Sequence, residues 1–326
     1  MIVVTGGAGF IGSNLILALE ERGENDILVC EYLGSKDEDI KWKNLNSTKI
    51  SNVVTPKELF KYTKGFEKNI KVVFHLGAIS NTTEVNSNLL KKNNFLFTIE
   101  LWKWCALNDI QFIYASSAAT YGDGSSSFDD DYSNLNRLVP LNLYAKSKHL
   151  SDIRIRRLIS KSENIPPQTV GLKFFNVYGP NESHKGSQKS MVSQAFNQIR
   201  TFGNVKLFSS HNREYENGEQ LRDFIHVDDC VDTMIWLFEN CQISGLFNLG
   251  TGIPRTFVDL ANAVFNSLDL EVDIQFIDIP ENIRNQYQYY TCANMSRLRS
   301  MGLEKNFMSL EEGVKKFVDL EMKNIF

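Results

Sequence analysis

Tyr144 and Lys148, in Leu143-Tyr144-Ala145-Lys146-Ser147-Lys148, are the residues of this chain whose types and spacing best suit acid–base chemistry. One helical turn apart, they project from the same face of a helix. An ammonium beside a phenol favours the phenolate and lowers its pKa, so the phenol becomes a usable base near neutral pH. Alone the pattern is weak, because most Tyr-x-x-x-Lys pairs are solvated neighbours. Its weight comes from what surrounds it. Ser117 lies just before it in Ser116-Ser117-Ala118-Ala119-Thr120-Tyr121-Gly122, directly after the apolar run Gln111 to Ala115. A single serine there is ordinarily a cap or turn residue, yet the carboxyl end of a parallel strand is also where open α/β sheets build their sites.

At the other end of the chain, the short apolar run Met1 to Val4 leads into Thr5-Gly6-Gly7-Ala8-Gly9-Phe10-Ile11-Gly12 and then an amphipathic stretch through Leu15, Leu19 and Arg22. Strand, glycine turn and helix in that order are the dinucleotide fingerprint. Gly6 makes the turn, Gly9 lets the backbone approach a pyrophosphate, and Gly12 lets helix and strand pack closely. The helix N-terminus then offers free N–H groups to the phosphates. Ile27 to Glu31 reads as the second strand, ending in an acid about twenty residues after the glycines, where a carboxylate bonds ribose hydroxyls and favours NAD. Lys36, Lys41 and Lys43 follow, and they are either solvated loop lysines or ligands for the 2′-phosphate of NADP.

These residues need a scaffold. The strand-like runs Lys71 to Leu76, Gln111 to Ala115 and Thr169 to Phe174 alternate with helical patterns over about 86–108 and from Tyr144 through Leu158. Gly77-Ala78 would admit a cofactor to the end of the third strand; His75 within it reads as a packed residue without a role. The alternation predicts an α/β, Rossmann-like, doubly wound parallel sheet over residues 1–175. The loop Asp123 to Val139, rich in Ser and Asp, reads as mobile or ordered by ligand. Beyond Asn176 the rhythm breaks. Asn176 to Pro180 reads as a turn, Val205 to Phe208 and Arg222 to Val227 as short strands around a polar excursion from His211 to Glu219, and Leu246 to Leu249 as a return to the sheet. Val272 to Ile277 and a closing helix Met308 to Met322 complete a smaller substrate-binding lobe over 176–326.

With 326 residues, 42% hydrophobic and 23% charged, the chain has the make-up of a soluble globular protein. A net charge of −4 leaves no polycationic footprint, so neither nucleic acid nor a membrane surface is an expected partner. Five scattered cysteines without Cys-x-x-Cys pairing read as free thiols in a reducing compartment, and no Cys/His cluster suggests a metal. The opening Ile2-Val3-Val4 is too short for a signal core and no run is long enough to span a membrane, so a cytoplasmic location is expected.

The ordered motifs TGGAGFIG, YASSAATYG, YAKSK, FFNVYGP, RDFIHVDD and FNLGTG resemble the extended short-chain dehydrogenase/reductase family, whose members act on nucleotide-sugars. The resemblance spans essentially the whole chain. FNVYGPNESHKGS and the late Tyr287-Gln288 followed by Thr291 are similar to the branch that inverts C6 of an ADP-heptose, of the kind that supplies heptose to lipopolysaccharide. It implies an NADP-dependent isomerase, with NAD as the alternative, working as a homo-oligomer. Phe10 and Ile11 would meet the pyrophosphate; Leu76, Gly77, Ala78, Ile79, Ser80, Asn93 and Val177 would line the cofactor; Glu31, Tyr32 and Lys41 would meet its adenosine ribose. Tyr144 would be one acid/base, with Lys148 its electrostatic partner and ribose ligand and Ser117 bonding the reacting oxygen. Lys185 would be the second acid/base, unless it is a phosphate-contact or solvated lysine. Asn176, Ser187, Gln194 (or Asn197, if Gln188 to Ser190 is an insertion), Phe208, Arg222 and Tyr287 would hold the ADP-sugar. Two bases suit an epimerase, since the reacting oxygen points differently in the two epimers. The alternatives are another nucleotide-sugar epimerase or a dehydratase, against which Ala118-Ala119 stand where an extra acid would be needed. A non-catalytic NADP-binding sensor would be expected to have lost the Tyr/Lys pair.

Overall fold

A computed structural model describes residues 1–50, 52–284 and 287–323. The chain enters a parallel sheet through β1 (Ile2–Thr5), β2 (Ile27–Cys30), β3 (Val53–Val54), β4 (Val72–His75), β5 (Gln111–Ser117) and β6 (Thr169–Phe174). It then forms β7 (Asn176–Tyr178), β8 (Val205–Phe208), β9 (Leu221–His226), β10 (Gly245–Leu249), β11 (Pro254–Thr256) and β12 (Ile274–Ile277). Strand β10 returns to the large sheet, whose order is β10-β6-β5-β4-β1-β2-β3 with every pair parallel. These strands are near-continuous apolar runs because both faces are covered. Ile2, Val4, Phe74 and Ile113 feed the core on one face, and Val3, Val73, Phe112 and Tyr114 the core on the other.

Strand order reverses at β1, which lies between β2 and β4. The chain leaves β1 for a helix on one side and enters β4 from the other, so the loops at their carboxyl ends diverge and leave a crevice. The helix Phe10–Glu21 starts at that crevice. So does the loop after β4. The Tyr144 helix spans Leu143–Lys161 and starts at Asn142, whose side chain accepts the Ala145 N–H at 2.8 Å. Its neighbour begins as Ser87–Leu90, widens to a π-helical turn over Lys91–Leu96, and continues as Phe97–Leu107.

The smaller lobe has a three-stranded sheet, β11-β9-β7, and the parallel pair β12-β8. Helices Met191–Phe202, Phe257–Ser267 and Leu310–Lys323 bury one face each into its own core, which includes Phe196, Ile199, Leu260, Phe265 and Phe317. Two expectations change. Asn176 to Tyr178 is a strand rather than a turn, because β9, nearly fifty residues later, pairs with it in parallel. The loop before the Tyr144 helix is held by its own contacts: buried Asp130 accepts the Asn248 N–H at 2.7 Å and pairs with Arg297 at 3.2 Å.

Candidate active site

The crevice is a cleft of about 950 Å³ whose walls come from the segments that follow β1, β2 and β4, the end of β5, the Tyr144 helix and the 174–192 segment. At its floor Gly6 and Gly12 are required by close approach. A Cβ on Gly12 would stand 2.2 Å from the Gly6 carbonyl oxygen, and one on Gly6, whose φ is +70°, would stand 2.6 Å from the Gly77 nitrogen. Gly9 precedes the helix Phe10–Glu21 with no side-chain cap, so the first-turn N–H groups are left for a ligand. Phe10, Ile11 and Gly12 line the cleft there. This cradle fits the pyrophosphate of a dinucleotide.

Opposite the glycines, Leu76, Gly77, Ala78, Ile79 and Ser80 line the same cleft, as does Val177. Two buried devices hold that loop. The Gly77 N–H donates to Thr5 Oγ1 at 3.1 Å, and Thr5 bonds His75 Nδ1 at 2.7 Å, whose Nε2 bonds Thr98 Oγ1 at 2.8 Å. Burial drives the His75 pKa down to about 3, and nearby Lys148 adds to the fall, so the ring is a neutral connector and not an acid or base. The second device is Asn94. Its Oδ1 accepts the Ile79 N–H at 2.8 Å, and its Nδ2 donates to the Ile79 carbonyl at 2.9 Å and to Ser147 Oγ at 3.0 Å. Asn93 is outside the cleft lining, and its amide bonds the Leu89 carbonyl within its own helix. The π turn rotates the helix so that the second asparagine of the pair, and not the first, faces the loop.

At the adenosine end Glu31 and Lys41 line the cleft, while Tyr32 is 45% exposed and outside it. Lys41 Nζ pairs with Glu31 at 3.3 Å and donates to the Tyr32 carbonyl at 2.6 Å. Burial raises the Glu31 carboxyl and Lys41 works against that rise. Of the three lysines weighed above, Lys36 and Lys43 are not in the lining. His184, which motif reading passed over, is in it. Its Nδ1 is 3.1 Å from Asn44 Nδ2, and burial, then Lys185 and Lys41, drive its pKa down to about 4.

Ser117, Tyr144 and Lys148 meet on the far wall. Lys148 is buried and its Nζ donates to the Ala115 carbonyl at 2.8 Å. Burial pushes its ammonium down to about 8, against the pull of Asp152. Tyr144 does not show the lowered phenol expected from the helical spacing. Loss of water around the phenolate raises its pKa above the ordinary value; a hydrogen bond with Ser117 opposes the rise and Asp152 adds to it. Lys185 also lines the cleft, ion-paired to buried Glu182 at 3.0 Å with its ammonium 4.9 Å from the Phe10 ring centre.

A second cavity of about 700 Å³ adjoins the first, with Ser187, Met191 and Phe257 lining both. Gln194, Phe208 and Tyr287 line it, the two rings meeting edge to face at 6.0 Å. Asn176 stays in the main cleft. Arg222 lines neither cavity: it lies behind the aromatic wall, 5.3 Å from the Tyr287 ring centre and 5.5 Å from that of Phe257. Among the described residues, no cluster of three His, Cys, Asp or Glu side chains forms a metal site, and no helix is long and apolar enough to cross a membrane.

Comparison with known proteins agrees with this geometry. Residues 2–250 match the model of the NAD dependent epimerase/dehydratase family. The chain is 43% identical to the ADP-L-glycero-D-manno-heptose-6-epimerase of Fusobacterium nucleatum subsp. nucleatum, covering 98% of this chain and 97% of that one. It is likewise 43% identical to the protein of that name from Nitratidesulfovibrio vulgaris, over 98% and 97% of the two chains. The crystal structure of the Helicobacter pylori ADP-L-glycero-D-manno-heptose-6-epimerase superposes with a TM-score of 0.79 at 29% identity, over 98% of this chain and 95% of that one. A glycine cradle facing a Ser, Tyr and Lys constellation across the switch point of a parallel sheet, together with these matches, makes this chain a member of the NAD dependent epimerase/dehydratase family.

Proposed function

We propose that this chain inverts C6 of an ADP-heptose, converting ADP-D-glycero-D-manno-heptose to ADP-L-glycero-D-manno-heptose, with NADP as its preferred resident cofactor. The observation that carries the reading is the sharing of one cleft by the glycine cradle, the Ser117, Tyr144 and Lys148 wall, and a further cation, Lys185. When bound, the nicotinamide supplies reversible electron-pair uptake at the reacting carbon. The protein does the rest.

Ser117 and Tyr144 hold the C6 oxygen of one epimer, and Tyr144 takes its proton as the carbon becomes a ketone. Lys148, fixed on the Ala115 carbonyl, places positive charge against that exchange. For the other epimer the oxygen points to the opposite side, where Lys185 leaves Glu182 and serves as the second proton donor and acceptor. The second cavity, with its Phe208 and Tyr287 wall, takes the ADP moiety. Preference for NADP rests on Lys41 at the adenosine end.

The test follows C6 configuration by NMR on incubation with ADP-heptose. Tyr144→Phe and Lys185→Met are each expected to slow epimerisation by roughly 10²–10⁴-fold while leaving bound cofactor in place. Stoichiometric consumption of added cofactor would overturn the epimerase reading. Near-normal turnover by Lys185→Met would return that lysine to a phosphate contact.

A further inference from the structure

Beneath the Ser117, Tyr144 and Lys148 wall lies a buried cluster that the reaction as described does not use. Asp152, fully buried, sits one helical turn past Lys148 on the same helix. Its Oδ1 accepts from Tyr114 Oη at 3.0 Å, and its Oδ2 accepts from Ser116 Oγ at 2.7 Å and from Lys173 Nζ at 3.2 Å. Lys173, on β6 and equally buried, also donates to Thr120 Oγ1, which in turn donates to the Ser117 carbonyl at 2.7 Å. One carboxylate therefore stands between two buried ammonium groups, bonded to Lys173 and one helical turn from Lys148, whose own hydrogen bond goes to the Ala115 carbonyl.

Among the described residues no other carboxylate is bonded to either ammonium, although Asp130, paired with Arg297, adds a weaker pull on Lys173 from farther off. The titratable groups packed around Lys148, Asp152 and Lys173 are Tyr144 and His149 on the helix, His75 on β4, Tyr114 on β5, Tyr121 on the turn after β5, Lys173 on β6, and Tyr132 and Asp130 on the loop before the helix. His75 is neutral, burial holds the Tyr114, Tyr121 and Tyr132 phenols protonated, and Asp130 is bonded to Arg297 rather than to either lysine. An unbalanced charge away from water is costly, so such a cluster gives up a proton readily.

Building on the role given to Lys148 above, we propose that Asp152 and Lys173 are positioning residues that set the charge of Lys148: Asp152 keeps its ammonium protonated, while Lys173 competes for the same carboxylate. The alkaline limit of activity is then a property of this buried trio. Of the three only Lys148 lines the cleft; Asp152 and Lys173 act through it.

The experiment measures kcat/KM for epimerisation by the cofactor-loaded enzyme from pH 6 to 10. Lys173→Met frees the carboxylate for Lys148, so the alkaline limb moves up. Asp152→Asn leaves two ammonium groups unbalanced, so the limb moves down. A one-unit move in either direction is a roughly tenfold change in activity at a fixed pH on the limb. Asp152→Glu restores the wild-type position. The opposite signs matter, because a merely structural defect lowers activity at all pH values without moving the limb. A limb that stays put, or moves down, in Lys173→Met overturns the proposal even if Asp152→Asn fails to fold. Lys148→Arg separates this from the underlying role, since a guanidinium does not titrate in the range. A limb that persists there removes Lys148 from the reaction. A limb that vanishes there but stays fixed in the Asp152 and Lys173 variants removes only this inference.

Discussion

Asn94→Ala should cost this protein both stability and cofactor affinity. The Asn94 side chain is fully buried and makes three hydrogen bonds, two of them to the backbone of Ile79 in the cofactor loop. Truncation leaves the Ile79 N–H and carbonyl without partners, and each unmet buried group costs about 1–3 kcal/mol. Ile79 is half-buried, so water recovers part of that, and the expected loss is about 2–4 kcal/mol of unfolding free energy. A loop that must be reordered on binding also weakens the cofactor, by roughly tenfold for each 1.4 kcal/mol of ordering. Urea denaturation of the cofactor-free protein and a fluorescence titration with cofactor measure the two effects. Asn93→Ala is the control; its amide bonds only a carbonyl in its own helix, so a change within about 0.5 kcal/mol is expected. Asn94→Asp is diagnostic, because its second oxygen faces the Ile79 carbonyl unless protonated, and the defect should ease toward acid pH. If Asn94→Ala matches the wild type in both assays, the loop is held by the Gly77 to Thr5 contact alone and the reasoning fails.

Two further outcomes are expected. The unfolded chain protonates His75 below about pH 6.5, whereas the folded protein keeps it neutral down to about 3, so stability falls as pH drops through that window. Between pH 7 and 5 the cofactor-free protein should lose about 2 kcal/mol through this group, and His75→Gln should show a correspondingly flatter pH dependence in urea denaturation. Lys41→Ala should lower the NADP-to-NAD affinity ratio by roughly tenfold or more, as expected for loss of a charge-assisted contact to a phosphate. An unchanged ratio in calorimetric titrations would place the 2′-phosphate elsewhere.

Much of the architecture is local in origin and was legible without coordinates. The glycine turn between an apolar run and an amphipathic helix is a short-range pattern, and Gly12 and Gly6 in it are forced by contacts within the same βα unit and with the neighbouring strand end. The same holds for the buried parallel strands, whose mostly apolar runs reflect cover on both faces. What escaped was set by register and by distant pairing. Asn176 to Tyr178 became a strand because β9 pairs with it, and no nearby residue announces that. Arg222 was expected at a ligand, yet it is held behind Tyr287 and Phe257 by residues far along the chain.

The chain order of Tyr144, Lys148 and Ser117 settled which groups are present for chemistry, because helical spacing and strand ends are properties of a few consecutive residues. The protonation they adopt was decided only in three dimensions. Helical spacing alone puts an ammonium beside a phenol and predicts a lowered pKa; packing instead strips water from around the half-buried phenol, anchors Lys148 on the Ala115 carbonyl, and brings Asp152 and Lys173 beneath them from a later turn and a strand. The choice of Asn94 over Asn93 likewise turns on one extra residue in a helical turn. Identity and spacing are local quantities. Dielectric, charge balance and the facing of a side chain are sums over everything packed around it, and those sums exist only once the chain has folded.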